Sequence, residues 1–292
     1  MISKLPVIKK VFRFTHKTLL PSVSPELTLA MRHLRTFGYW PNLHQPKTFN
    51  EKIHWKKLHD RREVVALTSD KFAVRDYVRS KGLENMLIPL LWHGTDPKAI
   101  PFEQLPDSFV VKPNHLSSAV VIIRGKRTAD IGSIVTQAEK WMKVEHYPKY
   151  LEWAYKNMKP MILIEEFKSD ANDEGCLDYK FYCYHGEPKF CHVDMDRFND
   201  HRRNMYDINW RLLPVKYNYD NGPHVQRPDN LDTMVHICRK LSQDFDFVRV
   251  DLYSAHDGIF FSELTHYPAA GFGMFNPPEF DLEMGSYWNV GA

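Results

Sequence analysis

Helix punctuation dominates the first third of the chain, and strand alternation takes over after it. Ser24 followed by Pro25 offers a side-chain cap and a proline at the first helical position, and Gly38 closes that segment. Thr48-Phe49-Asn50-Glu51 is a capping-box pattern in which hydroxyl and carboxylate each satisfy a free backbone N–H; it predicts a helix to about Asp60. Ser69 is expected to cap another helix that runs through Lys81 and stops at Gly82. Stretches rich in Val and Ile then predict strands at Ser108 to Lys112, Ala119 to Arg124 and Met161 to Phe167, with a helix from Ala129 to Val144 between them. Asp178 to Tyr184 and Pro188 to Met195 read as a hairpin turning at His185-Gly186. Leu231 to Phe245 reads as a helix. Phe247 to Ser254 and Ile259 to Leu264 form a second hairpin around Asp257-Gly258. Strands that pair through short turns, with helices between the hairpins, define an α+β fold and not a doubly wound sheet.

The 292 residues are 43% hydrophobic and 26% charged, which suits one large domain or two to three small ones. A formal charge of +3 is too small to argue for a nucleic-acid partner. The cysteines Cys176, Cys183, Cys191 and Cys238 form no C-x-x-C pair, which argues against a zinc site and for reduced thiols. No run reaches the ~18–20 apolar residues needed to span a bilayer. Met1 to Leu20 interleaves Lys4, Lys9, Lys10, Arg13 and Lys17 with apolar residues and has no small-residue cleavage site. Two readings stay open for it: a helix on an anionic membrane surface, or a basic helix docked on the protein itself. Without a secretion signal the expected location is cytoplasmic.

Three constellations carry chemistry. Arg249-Val250-Asp251-Leu252-Tyr253 and Phe261-Ser262-Glu263-Leu264-Thr265 lie on the two strands of the last hairpin. Alternation places Arg249, Asp251 and Tyr253 on one face, and Glu263 with Thr265 on one face. Asp251 and Glu263 side by side repel unless a cation lies between them, and an oxygen-only set suits Mg²⁺. The bland alternative is an exposed hairpin with solvated charges. Lys112, at the end of an apolar strand, precedes a small polar loop holding Ser117 and Ser118, whose hydroxyls and backbone N–H groups could cradle phosphates. The strand Met161 to Phe167 ends in Glu165-Glu166-Phe167, which could offer backbone groups to an adenine and a carboxylate to a ribose. Asp178 and Lys180 share a strand face and either reach ribose and phosphate or form a surface ion pair. His192, Arg197 and Arg202-Arg203 follow in order and could contact an acidic substrate. A lone His266 reads as structural.

In this order Val111-Lys112-Pro113, Ile164-Glu165-Glu166, Arg249-Val250-Asp251 and Glu263-Leu264-Thr265 resemble the ATP-grasp superfamily. Thr265 departs from the asparagine usual there. Four further strings cover most of the chain: Pro46 to Ile53, Asp70 to Arg75, Asp178 to Tyr182 and Glu263-Leu264-Thr265. Together they look like the teichuronopeptide-biosynthesis (TupA-like) ATP-grasp family.

That resemblance implies two α+β subdomains gripping ATP behind an N-terminal helical region. The divisions are a basic helical segment at 1–47, a helical region at 48–107, a first subdomain at 108–170 and a second, with the metal site, at 171–292. It implies an ATP- and Mg²⁺-dependent ligase that joins a carboxylate to a small-molecule amine, plausibly an amino acid to a uronic acid of a bacterial cell-surface polysaccharide. In that reading Lys112 and Arg249 are catalytic. Lys112, Ser117, Ser118, Glu165, Glu166, Phe167, Asp178 and Lys180 bind the nucleotide, and Asp251, Glu263 and Thr265 hold the metal. The expected partners are the amine and a carboxylate-bearing saccharide, with peripheral membrane contact on the inner face through residues 1–20. The competing readings are a glycosyltransferase using a nucleotide sugar and a non-catalytic membrane-surface adaptor.

Overall fold

The computed structural model describes residues 24–169, 176–196 and 200–290. Helix α1 (Pro25–Phe37) starts where the Ser24 hydroxyl accepts the Leu27 N–H, and it ends on Gly38 at φ +80°. Helix α2 (Phe49–His59) carries the full capping box of Thr48 and Glu51. The next boundary differs from expectation. Ser69 is the last residue of a short helix α3 (Glu63–Ser69), and its hydroxyl bonds back to Val65. The chain turns instead on Asp70, whose carboxylate accepts the N–H groups of Phe72 and Ala73 ahead of α4 (Val74–Ser80).

A four-stranded antiparallel sheet follows, built from β1 (Leu90–Gly94), β2 (Phe109–Pro113), β3 (Val121–Ile123) and β4 (Ile162–Glu166) in the order β1-β4-β2-β3. Helix α5 (Ile131–Met142) packs on it through Ile134, Ala138 and Trp141, which meet Phe109, Val111, Ile162 and Ile164. Alternation therefore turns Lys112 and Glu165 to the other face. Strand β3 is shorter than predicted. Asp130, capping Ser133, starts α5 later than Ala129. The short helix α6 (Tyr147–Tyr150) leads toward β4.

The second sheet runs β10-β9-β5-β6-β7, antiparallel throughout, from β5 (Leu177–Tyr184), β6 (Glu187–Met195), β7 (Arg202–Asp207), β9 (Phe247–Ala255) and β10 (Gly258–Thr265). The β5–β6 hairpin turns at His185-Gly186, both at positive φ, as the sequence suggested. The β9–β10 turn falls on His256-Asp257, one residue early, because Gly258 already pairs with Ala255. Helix α7 (Leu231–Ser242) stops before Phe245. Its Met234, Cys238 and Leu241 join the core with Phe181, Cys183, Val248 and Val250. The four cysteines are free thiols. The short pair β8 (Lys216–Tyr217) and β11 (Phe275–Asn276), then α8 (Glu279–Ser286), complete the described chain. No described helix is long and apolar enough to cross a membrane. The basic stretch Met1 to Leu20 and Arg197 lie outside the described residues.

Candidate functional site

The residues opposite α7 on the second sheet are charged. Glu263 of β10 pairs with Asp251 of β9, which pairs with Lys180 of β5, and Thr265 pairs with Arg249. A register shift between Phe261 and Glu263 brings this row into line. The exposed-hairpin alternative is excluded, because Asp251 is completely buried.

Arg249 holds both oxygens of Asp251, with Nε to Oδ1 at 2.7 Å and Nη2 to Oδ2 at 2.6 Å. The same Nη2 donates to the Thr265 hydroxyl at 3.0 Å and lies 3.6 Å from Glu263 Oε1. Three oxygens thus converge on one cationic nitrogen, so the repulsion expected between Asp251 and Glu263 is already relieved. Lys180 donates to Asp251 Oδ2 at 2.9 Å and to Asp178; this is a buried link, not a surface ion pair. Burial pushes the Asp251 carboxyl above its usual range against the pull of Arg249 and Lys180. For Glu263, burial acts in the same direction, but Lys71, Lys180 and Arg249 outweigh it and hold the carboxyl well below the ordinary range.

Among the described residues no three His, Cys, Asp or Glu side chains form a ready-made metal cluster. Two carboxylates and a hydroxyl nevertheless suit Mg²⁺, which usually takes few protein ligands and completes its shell with water and phosphate oxygens. Arg249 Nη2 marks the point on which those donors close. The donor set fits the ion once the guanidinium moves aside.

The first sheet faces this row with Lys112. Its ammonium lies 2.5 Å from Glu165 Oε2, and Arg75 lies 3.6 Å from Glu165 Oε1. Lys71 joins the two sheets, donating to the Leu116 carbonyl at 2.9 Å and lying 3.4 Å from Glu263 Oε2. Ser117 and Ser118 follow Leu116 and are exposed, with Ser118 at φ +57°. Glu166 points away from Glu165, to Lys168 at 3.3 Å, and Lys168 reaches Asp257 of the β9–β10 turn at 2.8 Å. Phe167 lies under the Arg124 guanidinium at 4.9 Å. Thus Lys112 and Glu165 join the charged row, whereas Glu166 and Phe167 form a second junction at the sheet edge.

Sequence reasoning gave no role to Asp70, Lys71, Arg75 or Asn114. Asn114 Nδ2 donates to Asp70 at 2.9 Å and to the Lys159 carbonyl at 3.0 Å, while its Oδ1 accepts the Met161 N–H at 2.8 Å. The available signal was the string Asp70 to Arg75, which places a lysine and an arginine one helical turn apart. His266 is buried, its Nε2 2.8 Å from the Thr68 hydroxyl.

Three comparisons bear on this arrangement. No curated protein matches the chain. Among solved structures it is similar to D-alanine–D-alanine ligase from Bacillus anthracis, at 14% identity over 68% of this chain and 57% of that one, TM-score 0.41. It is also similar to phosphoribosylamine–glycine ligase from Thermotoga maritima, at 12% identity over 72% and 52%, TM-score 0.46. The chain spans less than two thirds of the length of each. A family model, TupA-like ATPgrasp, matches residues 51–289, and with two antiparallel sheets meeting at a charged seam the chain belongs to the TupA-like ATP-grasp family.

Proposed function

We propose that this chain is an ATP- and Mg²⁺-dependent carboxylate–amine ligase working through an acyl phosphate. The finer reading is an amide between an amino acid and a uronic acid of a bacterial cell-surface polysaccharide. It comprises a small-molecule amine and a carboxylate-bearing saccharide as partners, a cytoplasmic location, and contact of residues 1–20 with the anionic inner face of the membrane. The division at 108–170 and 171–292 belongs to the same proposal, with β1 added to the first unit.

The observation that carries the ligase reading is the convergence of Asp251, Glu263 and Thr265 on one cation position, ringed by Lys71, Lys112 and Lys180. Asp251, Glu263 and Thr265 would hold Mg²⁺, which when bound supplies neutralisation of phosphate charge. Lys112, with Ser117 and Ser118, would hold ATP phosphates, and Glu165, Glu166 and Phe167 would receive adenine and ribose. Asp178 is the partner that keeps Lys180 on the phosphate side of the row. Freed from Asp251, Arg249 would meet the phosphoryl group as the substrate carboxylate attacks it in line and ADP leaves. Positioned cations act most strongly where charge develops in a site closed to water, and water must be kept from the acyl phosphate.

The test is ADP release with glucuronate or galacturonate and a panel of amino acids, with Mg²⁺ titrated, beside calorimetry with ATP and with UDP-sugars. Mg²⁺-dependent ATP binding and amine-dependent ADP release are expected. Binding of UDP-sugars with indifference to ATP would replace the ligase with the glycosyltransferase reading.

A further inference from the structure

The ligase reaction leaves one requirement that the row around Asp251 does not meet. An amino group is protonated at neutral pH and has no lone pair for an acyl carbon, so a proton must leave it. Asp251, Glu263, Glu165 and Asp178 are each already engaged by a lysine or arginine.

Further along the same face, Asp194 of β6 is the cross-strand neighbour of Asp178 and is buried. Arg203 Nε donates to its Oδ1 at 2.6 Å, and His201 Nε2 lies 3.0 Å from the same oxygen. Burial pushes the Asp194 carboxyl up, but His192 at 3.6 Å and Arg203 pull it far below the usual range. Arg203 supplies the lasting charge, since burial holds His192 neutral. With Nε2–H donating to the Asp194 carboxylate, the other ring nitrogen of His201, Nδ1, is left to act as acceptor. The His201 side chain is 19% exposed, and its ring lies 3.7 Å from that of Tyr219, which is itself exposed. The Arg203 guanidinium sits 4.8 Å from the Tyr219 ring. Asp194 lies two strands across and two residues along from Asp251, about 12 Å at ordinary strand spacing and rise. That leaves room for a phosphoryl group, the acyl carbon it activates and an attacking amine.

We propose that the His201–Asp194 pair, with Tyr219 and Arg203, forms the subsite that receives the amine, and that His201 takes its proton. The inference rests on the ligase reading. The amine nitrogen forms the C–N bond, and the C–O bond to phosphate breaks. Phosphate leaves with the electron pair, and the proton passes from nitrogen to His201 Nδ1 and then to solvent.

The test compares His201→Gln with wild type using two nucleophiles: an amino acid active in the ADP assay, and hydroxylamine. Hydroxylamine is largely unprotonated at neutral pH and traps acyl phosphates as hydroxamates. The variant is expected to lose about 100-fold or more in kcat/KM for the amino acid near neutral pH, a deficit that shrinks as pH rises and free amine accumulates. Hydroxamate formation stays within about threefold of wild type, which also reports a folded variant. Equal losses with both nucleophiles at every pH, or an unchanged amino-acid rate, overturn the role of His201. A wild type inert with every carboxylate and amine overturns the ligase reading and this inference with it. An active wild type beside an unaffected variant removes the role of His201 alone.

Discussion

The cluster of buried charge around Lys56 and the row between the two sheets are built on opposite principles. On α2, Lys56 is fully buried between Asp60 at 2.9 Å and Asp246 at 3.2 Å, and Arg62 reaches the same two carboxylates at 2.7 and 2.5 Å. Two cations meet two anions, and the charges balance. Lys57 of the same helix is likewise saturated, donating to the carbonyls of Tyr150 and Ala270. The row between the sheets instead sets five cations (Lys71, Arg75, Lys112, Lys180 and Arg249) against four carboxylates (Glu165, Asp178, Asp251 and Glu263). It also stays accessible, with Glu263 29% exposed. Burial of charge is therefore no mark of a site. Surplus positive charge is, because a buried structural ion is tolerated only when it is matched by a partner.

The largest effect separates the clusters by what fails. Asp251→Asn and Glu263→Gln should each lower Mg²⁺-dependent ADP release by about 1000-fold in protein that remains folded. Lys56→Met should instead cost about 3–5 kcal/mol of stability, since it leaves Asp60 and Asp246 without their buried partner. Its turnover per folded molecule should be unchanged. Urea unfolding beside ADP assays checks both, and a stable but inactive Lys56→Met protein would erase the distinction. Asp251→Asn is also expected to lower stability, because Arg249 and Lys180 lose the anion between them.

A middle effect concerns Lys112. Lys112→Ala should weaken ATP binding by about 10- to 100-fold, the worth of a charge-assisted hydrogen bond. Lys57→Met, which removes a cation that meets two carbonyls and the Phe272 ring, should leave ATP affinity alone. Calorimetry giving the same ATP affinity for Lys112→Ala and wild type would take Lys112 out of the nucleotide site.

The smallest effect is read in pH. Glu263 has a depressed folded pKa, so its contribution is present above the ordinary glutamate value near 4.3 and is lost as pH falls below it. Glu263→Gln should flatten the acid limb of the stability curve. Lys57 gives the same sign in an alkaline window: burial lowers it to about 8. Between there and the unfolded value of about 10.4 the unfolded chain binds the extra proton, so stability rises with pH. Lys57→Met should flatten that alkaline rise. Thermal melts across pH that show no change in either limb would contradict both assignments.

The hairpins were legible because alternation and turn residues are local signals; Arg249, Asp251, Glu263 and Thr265 could be placed on shared faces from spacing alone. Lys71 and Arg75 were not, since their partners Glu263 and Glu165 lie far along the chain and nothing local marks a lysine before a helix as facing another sheet. Strand β7 escaped for a related reason. Arg202-Arg203-Asn204 is polar, and its buried Arg203 and Asn204 are satisfied by partners distant in sequence: Asp194 and the Tyr217 carbonyl for Arg203, and the backbone of Gly222 and Pro223 for Asn204. Ser69 was mistaken for a cap because serine is a good one, whereas the neighbouring Asp70 makes the bonds.

Asn114 has a mechanical consequence. Its side chain fastens the start of α4, the end of β2 and the approach to β4 at one point through Asp70, Lys159 and Met161. Tearing that fastening would break three hydrogen bonds, each worth about 1 kcal/mol net. Any widening of the gap between the sheets is therefore cheaper as a swing about Asn114 than as a separation there. The longest travel then falls at the far end of the lever, where Lys168 meets Asp257 and the Phe260 ring, and Ser169 meets His256.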